Sequence, residues 1–316
     1  MTGTFRFSMA RLKLLFFGTP GISVPFLEAL AKEHDVLAVI TRPDKPAGRG
    51  LALTPPPVKA AAERLGLPVR QPAGSPSEPA PALKALGADA AVVVAYGKIL
   101  KPDLLAATRL GFLNVHFALL PKYRGAAPMQ WALINGEAKS GVTLFWLDEG
   151  MDTGPVQAVR ETPVGPEEDA AGLAGRLTGM GVELLLENLR SFDAGVRREP
   201  QQGEPSLAPR LTRADARVRW EMPARDIHNR VRGLRGGPTA YFACNGKDVN
   251  LLRTSVADDP DGGRPGAIIA ARDGVLVECS AGKLWLHEVQ PQGKKPLPAA
   301  DFLNGLRLKA GDRLPD

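Results

Sequence analysis

Short apolar segments alternate with amphipathic helical patterns through the first two thirds of the chain. Strand-like runs rich in β-branched and aromatic residues lie at 12–17, 36–40, 88–94, 112–116 and 142–147. Stretches with helix-like spacing of apolar residues lie between them, at 24–31, 58–65 and 126–134. Such alternation indicates parallel strands joined by crossover helices. The sequence therefore predicts an α/β fold, a Rossmann-like mostly parallel sheet with helices on both faces, whose ligands bind beyond the carboxyl ends of the strands.

The last third of the chain has a different pattern. A long helix is expected from about 170 to 191, and the segment 193–209 then carries three prolines without periodicity, which is typical of a linker. Beyond it, an amphipathic helix precedes short strand-like segments separated by Asn-Gly and Gly-Gly turns, which predicts a smaller β-barrel (OB-like) C-terminal domain. We therefore expect a disordered extension at 1–8, an α/β domain at 9–192, the linker at 193–209 and the β-barrel domain at 210–316.

Composition narrows the class of protein. A chain of 316 residues fits two domains of about 150 residues each. The two cysteines, Cys244 and Cys279, form no C-x-x-C motif, and no histidine has ligand spacing. No apolar run approaches the 18 or more residues of a membrane span. We therefore expect a cytoplasmic protein with neither a disulfide framework nor a metal.

The positive charge is unevenly distributed. The net charge is +6, and nearly all of the excess lies after residue 204. Residues 210–235 contain eight arginines and three acidic residues. A solvated helix face is the simpler interpretation of this cluster, and a polyanion-binding face is the alternative. Taken alone, the cluster favours the solvated face.

The segment Asn114-Val115-His116 carries the clearest chemical signal. Residues two apart on a strand point to the same side, so an amide donor and a titratable imidazole would share one face. Together they could stabilise a developing oxyanion and handle a proton, as acyl transfer requires. An isolated N-x-H is more simply a pair of core residues. Three neighbouring loops argue for function: Gly18-Thr-Pro-Gly21, the Pro- and Gly-containing loop 119–128, and 148–155 with Asp152.

These motifs occur in an order that resembles a known family. The matching segments are Phe17-Gly-Thr-Pro20, Arg42–Gly50, Ala95-Tyr-Gly97, Asn114-Val-His116, Leu119–Pro128 and Gly150-Met-Asp-Thr-Gly154. They resemble the methionyl-tRNA formyltransferases, within the wider 10-formyltetrahydrofolate-dependent formyltransferase family. The resemblance extends over most of the chain, including its β-rich last third.

The resemblance implies transfer of a formyl group from 10-formyltetrahydrofolate, as co-substrate, to the α-amino group of methionine on initiator tRNA. The family's catalytic Asn, His and Asp fall on Asn114, His116 and Asp152. Its folate-binding positions fall on Ala95, Tyr96, Gly97, Ala118, Leu119, Leu120 and Pro121. The chain departs from the family at Ala118, where the family has serine, so only backbone contacts are expected there.

Side-chain chemistry supports this reaction. An α-amino group titrates near pH 7.7–8.0, so it has a neutral fraction able to attack the formyl carbon directly. Asn114 would donate to the resulting oxyanion, and a protonated His116 would add a charge-assisted hydrogen bond. We expect Asp152 to orient His116 and to keep it cationic. No covalent acyl-enzyme is required.

Basic residues then indicate the acceptor. The loop 41–57 carries Arg42, Lys45 and Arg49 among prolines and glycines. A disordered solvent loop is the simpler interpretation, but the resemblance implies contact with an acceptor stem. With the family in view we also assign tRNA contacts to the arginine cluster, represented by Arg213, Arg217 and Arg232. We expect initiator methionyl-tRNA as the partner and a monomeric enzyme.

Other classes of protein explain less of the sequence. A formyltransferase acting on a small amine, such as an amino-sugar nucleotide, would share the catalytic residues and remains the alternative. A glycinamide ribonucleotide formyltransferase is disfavoured, because its reaction would need no basic second domain. A nicotinamide-dependent dehydrogenase is disfavoured because Gly-Thr-Pro-Gly replaces G-x-G-x-x-G. A non-catalytic RNA-binding module would leave Asn114, His116 and Asp152 unexplained.

Overall fold

The computed structural model describes residues 11–47, 52–74, 80–192, 195–271 and 274–314. Its contacts divide the chain into two compact units. The N-terminal unit consists of Met1–Ala126, Gly141–Glu161 and Ala174–Leu207. The C-terminal unit consists of Ala127–Ser140, Thr162–Leu173 and Ala208–Asp316. The expected extension at 1–8 lies outside the described residues.

This division differs from the one expected from local sequence patterns. Ala127–Ser140 and Thr162–Leu173 fall within the expected α/β domain 9–192, yet they group with the C-terminal residues. Within that unit, the Ala127 N–H donates to the Ala208 carbonyl at 3.1 Å, and Trp131 Nε1 donates to the Pro209 carbonyl at 2.8 Å. The spacing of apolar residues predicts the local conformation of a segment, but it does not predict which distant residues the segment contacts.

The secondary structure follows the expected alternation. The strands up to residue 163 are β1 Lys13–Gly18, β2 Asp35–Ile40, β3 Lys45–Ala47, β4 Ala52–Thr54, β5 Val69–Arg70, β6 Ala90–Val94, β7 Phe112–His116, β8 Arg124–Gly125, β9 Lys139–Trp146 and β10 Val156–Pro163. The helices of this part are α1 Val24–Glu33, α2 Pro57–Arg64, α3 Ala80–Lys84, α4 Pro102–Leu105, α5 Pro128–Ile134 and α6 Ala170–Arg190.

Seven of these strands form one sheet in the order β10-β9-β7-β6-β1-β2-β5. The pairs β1–β2, β1–β6, β6–β7 and β2–β5 are parallel, whereas β7 and β9 are antiparallel. Leu14 to Phe17 of β1 are fully buried, as expected for a central strand covered on both faces. The predicted mostly parallel α/β sheet is confirmed.

Two glycines allow close packing in this unit. A Cβ atom on Gly18, at the end of β1, would lie 2.8 Å from the Phe16 ring and 2.9 Å from Ser23. In α6, a Cβ atom on Gly181 would lie 3.0 Å from the ring of Phe26. Glycine weakens a helix by roughly 1 kcal/mol relative to alanine. At Gly181 that cost is offset by the close approach of α1, to which Phe26 belongs.

The described chain from residue 207 onward forms an antiparallel sheet and two α-helices. Its elements are β11 Leu207–Ala208, α7 Ala224–Gly233, β12 Tyr241–Cys244, β13 Lys247–Val256, β14 Ile268–Ala271, β15 Val275–Glu278, β16 Lys283–Pro291, β17 Leu297–Pro298 and α8 Ala299–Leu306. The strand order is β12-β13-β16-β15-β14, and β17 also pairs with β16. The predicted β-rich C-terminal domain is confirmed, and the pairings β12–β13, β13–β16, β15–β16 and β14–β15 are antiparallel. Closure into a barrel stays a prediction, since the pairings of the described residues do not join β12 to β14.

Candidate active site

Asn114 and His116 lie on β7, with β6 on one side and β9 on the other. Val93 is paired with Asn114, and Thr143 is paired with His116. Because alternate strand residues point to the same side, the two polar side chains share one face of the sheet. The His116 side chain is only 5% exposed, whereas Asn114 is half-buried. The pair therefore presents a buried imidazole and a more accessible amide late in β7.

Both ring nitrogens of His116 face oxygen atoms. Nε2 lies 2.9 Å from the carbonyl oxygen of Tyr123. Because a carbonyl oxygen only accepts hydrogen bonds, Nε2 carries the proton in the neutral ring and Nδ1 is the basic nitrogen. Nδ1 lies 3.7 Å from Oδ2 of Asp152. The structure thus brings His116 and Asp152 together, with the basic nitrogen facing the carboxylate.

Asp152 reaches His116 from the loop between β9 and β10. Its backbone has a left-handed φ of 55°, which is uncommon outside glycine. Oδ2 accepts a hydrogen bond from the Gly125 N–H at 2.8 Å. A Cβ atom on Gly154 would overlap the carbonyl oxygen of Trp146 at the end of β9. Glycine at position 154 therefore lets the loop return close to the strand and place the carboxylate.

Asp148 orders the first part of the same loop. Its Oδ1 accepts hydrogen bonds from the Gly150 N–H at 3.0 Å and from the Thr153 hydroxyl at 2.7 Å. This carboxylate is exposed and bound within its own loop. Of the two aspartates in Asp148-Glu-Gly-Met-Asp152, the second is therefore the one that faces His116.

Burial has the largest effect on the pKa of His116. Desolvation lowers the pKa of His116 below its ordinary value, while the Asp152 carboxylate and the bond to the Tyr123 carbonyl raise it in part. The lowering effect of burial is the larger one. This direction opposes the expectation that Asp152 keeps His116 cationic. In its neutral form the imidazole can accept a proton at Nδ1, where Asp152 would stabilise the charge.

The side-chain amide of Asn114 is available to a ligand. Within the described ranges it makes no hydrogen bond to the protein, and the residue is half-buried. An amide NH₂ supplies two donors, and a preorganised donor in a partly desolvated position can stabilise a developing oxyanion.

The residues 95–97 form a turn directly after β6, the neighbour of β7. Ala95 and Gly97 both have positive φ, of 47° and 76°, and both are exposed. Tyr96 between them is 2% exposed and packs edge-on against Phe17, with ring centroids 5.4 Å apart. The Thr19 hydroxyl donates to the Tyr96 carbonyl at 3.1 Å. Buried Tyr96 anchors a turn whose flanking backbone is open to a ligand.

The segment 118–121 follows His116 directly. Ala118 is 1% exposed, so its methyl group points into the protein. The Thr143 hydroxyl donates to the Ala118 carbonyl at 2.7 Å and accepts from the Leu120 N–H at 3.1 Å. The Leu120–Pro121 peptide is cis. Leu119 and Leu120 are half-buried, and one threonine of β9 holds the backbone between them and His116.

Of the three basic residues expected in the loop 41–57, two can be placed. Lys45 is exposed on β3, which pairs with β4 as a short hairpin. Arg42 lies close to the turn formed by residues 95–97: a Cβ atom on Gly97 would be 3.6 Å from Nη1 of Arg42. Gln71 Nε2 donates to the Arg42 carbonyl at 2.9 Å and fixes the base of the loop. Arg49 lies outside the described residues.

The three arginines expected in the β-domain differ in environment. Arg217 is exposed. Arg213 donates to Asp248 at 2.6 Å and stacks 3.5 Å above the centroid of the Tyr241 ring. Arg232 is 7% exposed, and it donates to Asn229 and to the carbonyls of residues 165 and 168. Its guanidinium is thus used inside the C-terminal unit, which argues against the expected contact of Arg232 with tRNA.

Sequence reasoning missed several residues that build the site. The Tyr123 carbonyl and the Gly125 N–H bind His116 and Asp152 through the backbone, and Gln201 binds the Asp152 loop from the expected linker. Backbone contacts leave no signature in residue type. Gln201 lies in an aperiodic, proline-containing segment, where no pattern distinguishes it from its neighbour Gln202.

Two features are absent from the part of the chain that the structure describes. No group of three or more His, Cys, Asp or Glu side chains there could hold a metal ion. Among the described helices, none has the length and apolar character needed to cross a bilayer.

Two family models match most of this chain. The formyl transferase family model matches residues 11–189, and the model of the formyl transferase C-terminal domain matches residues 210–307. The chain therefore belongs to the formyl transferase family, and the resemblance noted from its motifs is confirmed.

Individual relatives cover nearly the whole chain. The methionyl-tRNA formyltransferase of Sorangium cellulosum is 45% identical over 306 residues, which cover 95% of this chain and 98% of that protein. The methionyl-tRNA formyltransferase of Thermus thermophilus is 44% identical over 305 residues, covering 96% and 99%. An N-formyltransferase from Helicobacter canadensis, solved with folinic acid and dTDP-3-aminofucose, has a TM-score of 0.68 at 20% identity, covers 89% of this chain and 99% of its own, and is similar in fold.

Proposed function

We propose that this protein transfers the formyl group of 10-formyltetrahydrofolate to the α-amino group of methionyl initiator tRNA. The observation that carries the proposal is the buried His116–Asp152 pair beside the available amide of Asn114. The family match and the full-length similarity to methionyl-tRNA formyltransferases support the choice of reaction and acceptor.

In the proposed mechanism, each of the three side chains has one task. The neutral amine attacks the formyl carbon, and Asn114 donates a hydrogen bond to the oxygen that becomes negative. His116 accepts the proton released by the amine at Nδ1, and Asp152 stabilises the imidazolium at a distance of 3.7 Å. The oxyanion then collapses, the bond between the carbon and the folate nitrogen breaks, and the same proton can return from Nδ1 to that nitrogen.

The residues around β6 and β7 fit a folate co-substrate, which supplies the activated formyl group. The exposed backbone of Ala95 and Gly97 offers polar contacts, and the half-buried Leu119 and Leu120 offer an apolar surface for a ring. We assign folate binding to Ala95–Gly97 and 118–121, with Ala118 contributing through its backbone. The backbone at position 118 is held without a side-chain hydroxyl, because the Thr143 hydroxyl donates to the Ala118 carbonyl.

We assign the tRNA contacts to basic residues that are exposed or half-buried. Arg42, Lys45, Arg213 and Arg217 are retained, and Arg49 is included on the sequence pattern alone. Arg232 is omitted because it is buried. Catalysis is assigned to 9–192 and tRNA binding to 210–316, and we expect a cytoplasmic monomer.

One assay tests the acceptor. Formyl transfer from 10-formyltetrahydrofolate should be measured with charged initiator tRNA, charged elongator tRNA and a dTDP-amino sugar at equal concentrations. The proposal expects initiator tRNA to have the highest kcat/KM. Faster formylation of the amino sugar would instead assign the chain to a small-amine formyltransferase.

A further inference from the structure

The residues 196–207, expected to be a plain linker, bind the catalytic loops of the N-terminal unit. Gln201 is the centre of these contacts. Its Nε2 donates to the carbonyl oxygens of Asp152 at 2.8 Å and Gly154 at 2.9 Å. Its Oε1 accepts hydrogen bonds from Arg124 Nε at 3.2 Å and from an Arg124 terminal nitrogen at 2.6 Å. One amide therefore joins the loop that carries Asp152 to the loop that follows His116.

Ser206 makes the second set of contacts. Its hydroxyl accepts a hydrogen bond from the Tyr123 N–H at 2.9 Å, and its carbonyl accepts one from the Arg124 N–H at 2.8 Å. Tyr123 is the residue whose carbonyl binds Nε2 of His116. The same short segment thus fixes the groups on both sides of the imidazole.

The backbone of Asp152 makes such support necessary. A non-glycine residue with φ of 55° is held in a sparsely populated conformation, which persists only when its surroundings determine it. The two carbonyls that Gln201 binds, those of residues 152 and 154, bracket this strained part of the loop. Asp152 itself contacts Gly125 and His116 only through its side chain.

We infer that Gln201 is a positioning residue, which holds the Asp152 carboxylate against Nδ1 of His116 and so sets the proton affinity of the catalytic pair. The inference rests on the roles proposed for His116 and Asp152. Gln201 touches no reacting group in this account. Its effect on the reaction passes through the Asp152 backbone.

The test compares Gln201→Leu with Gln202→Leu. Leucine removes both polar ends of the amide, and the matched change at 202 places the same group on an exposed neighbour. Two quantities are measured for each variant: the single-turnover rate of formyl transfer to methionyl-tRNA, and the pKa of the His116 ring by NMR, assigned with His116→Asn. The variant Asp152→Asn, which lacks the carboxylate, shows in which direction the pKa of His116 changes when that charge is lost.

We expect Gln201→Leu to lower the single-turnover rate by about 10- to 10²-fold, as for displacement of a catalytic group by up to about 1 Å. It should also move the pKa of His116 in the same direction as Asp152→Asn, while Gln202→Leu changes neither quantity. A His116 pKa equal to that of Gln202→Leu would overturn the inference, whatever the rate. A shifted pKa with an unchanged rate would support the positioning role and contradict the proposed role of the pair in turnover.

A second variant keeps the test decisive if Gln201→Leu does not fold. Gln201→Glu retains an acceptor for Arg124 and removes the donor to the loop carbonyls, and Gln202→Glu adds the same charge next to it. The inference expects a lower single-turnover rate only for the change at 201. Equal rates in the two glutamate variants would contradict it.

Discussion

Replacing Asp152 by asparagine tests the electrostatic part of the mechanism. Asparagine keeps an oxygen that can accept the Gly125 N–H and removes only the charge. At 3.7 Å and an effective dielectric constant of about 20, the carboxylate stabilises a proton on Nδ1 by about 4 kcal/mol. Part of this energy is screened, because the Asp152 side chain is 17% exposed. Loss of most of it would lower the rate of proton acceptance by up to about 10³-fold.

The sign of the pKa change follows from the same contacts. Burial lowers the pKa of His116, and Asp152 raises it in part, so removing the charge should lower the pKa further. The measurements are the single-turnover rate with methionyl-tRNA and the NMR titration of the His116 ring. Glu149→Gln removes an exposed charge from the same loop and serves as the control. A rate within tenfold of the wild-type value, together with an unchanged His116 pKa, would refute the role given to Asp152.

Three other predictions concern the loop, the arginines and acid stability. Gly154→Ala should destabilise the protein by about 1–3 kcal/mol in urea unfolding and slow turnover, because the methyl group meets the Trp146 carbonyl. In the control Gly179→Ala the methyl group meets no atom within 4 Å, so the change should be neutral or stabilising. Equal losses of stability in the two variants would contradict the loop geometry. Arg217 is exposed, so Arg217→Ala should raise KM for tRNA without changing Tm, whereas Arg232 is buried, so Arg232→Ala should lower Tm. A lower Tm for Arg217→Ala and a higher KM for Arg232→Ala would contradict the assignment of Arg217 to tRNA binding. Burial lowers the pKa values of all four histidines, so these groups bind protons more strongly in the unfolded chain than in the folded one. Their contribution to the free energy of unfolding should be fully present above about pH 6.5 and should decrease as the pH falls below that value. An unchanged urea midpoint at pH 5.5 would show that burial does not govern these groups.

The sequence was most informative where local pattern and topology coincide. The run ending in Asn114-Val-His116 could be recognised as a strand, and period-two alternation placed both polar side chains on one face. The sequence placed Asp152 at the same sheet edge by assuming a parallel strand, whereas β9 is antiparallel to β7, so the loop starts beside Leu113 and runs back to His116. The left-handed backbone of Asp152 and the Gly125 N–H that binds it could not be predicted, since both depend on contacts between separate loops.

Charge states and long-range contacts were the least predictable features. Burial lowers the pKa of His116 and depends on residues distant in sequence, so the neighbouring carboxylate alone did not predict the direction of the shift. Arg232 looked like a member of a basic surface, but it lies four residues after buried His228 on the same side of α7. Gln201 acts through an amide in a segment without periodicity. In each of these three cases the sequence gives the type of residue, but it does not predict which distant groups that residue contacts in the fold.

The role of Asn114 in formyl transfer is tested by the single-turnover rate of Asn114→Ala with methionyl-tRNA, together with the affinity of this variant for tRNA and for the folate. Asn114 is half-buried and binds no described side chain, so its removal should leave the fold nearly unchanged. Loss of one oxyanion donor should lower the rate by about 10²–10³-fold, with both affinities close to those of the wild type. A near-normal rate would mean that the amide of Asn114 does not stabilise the oxyanion.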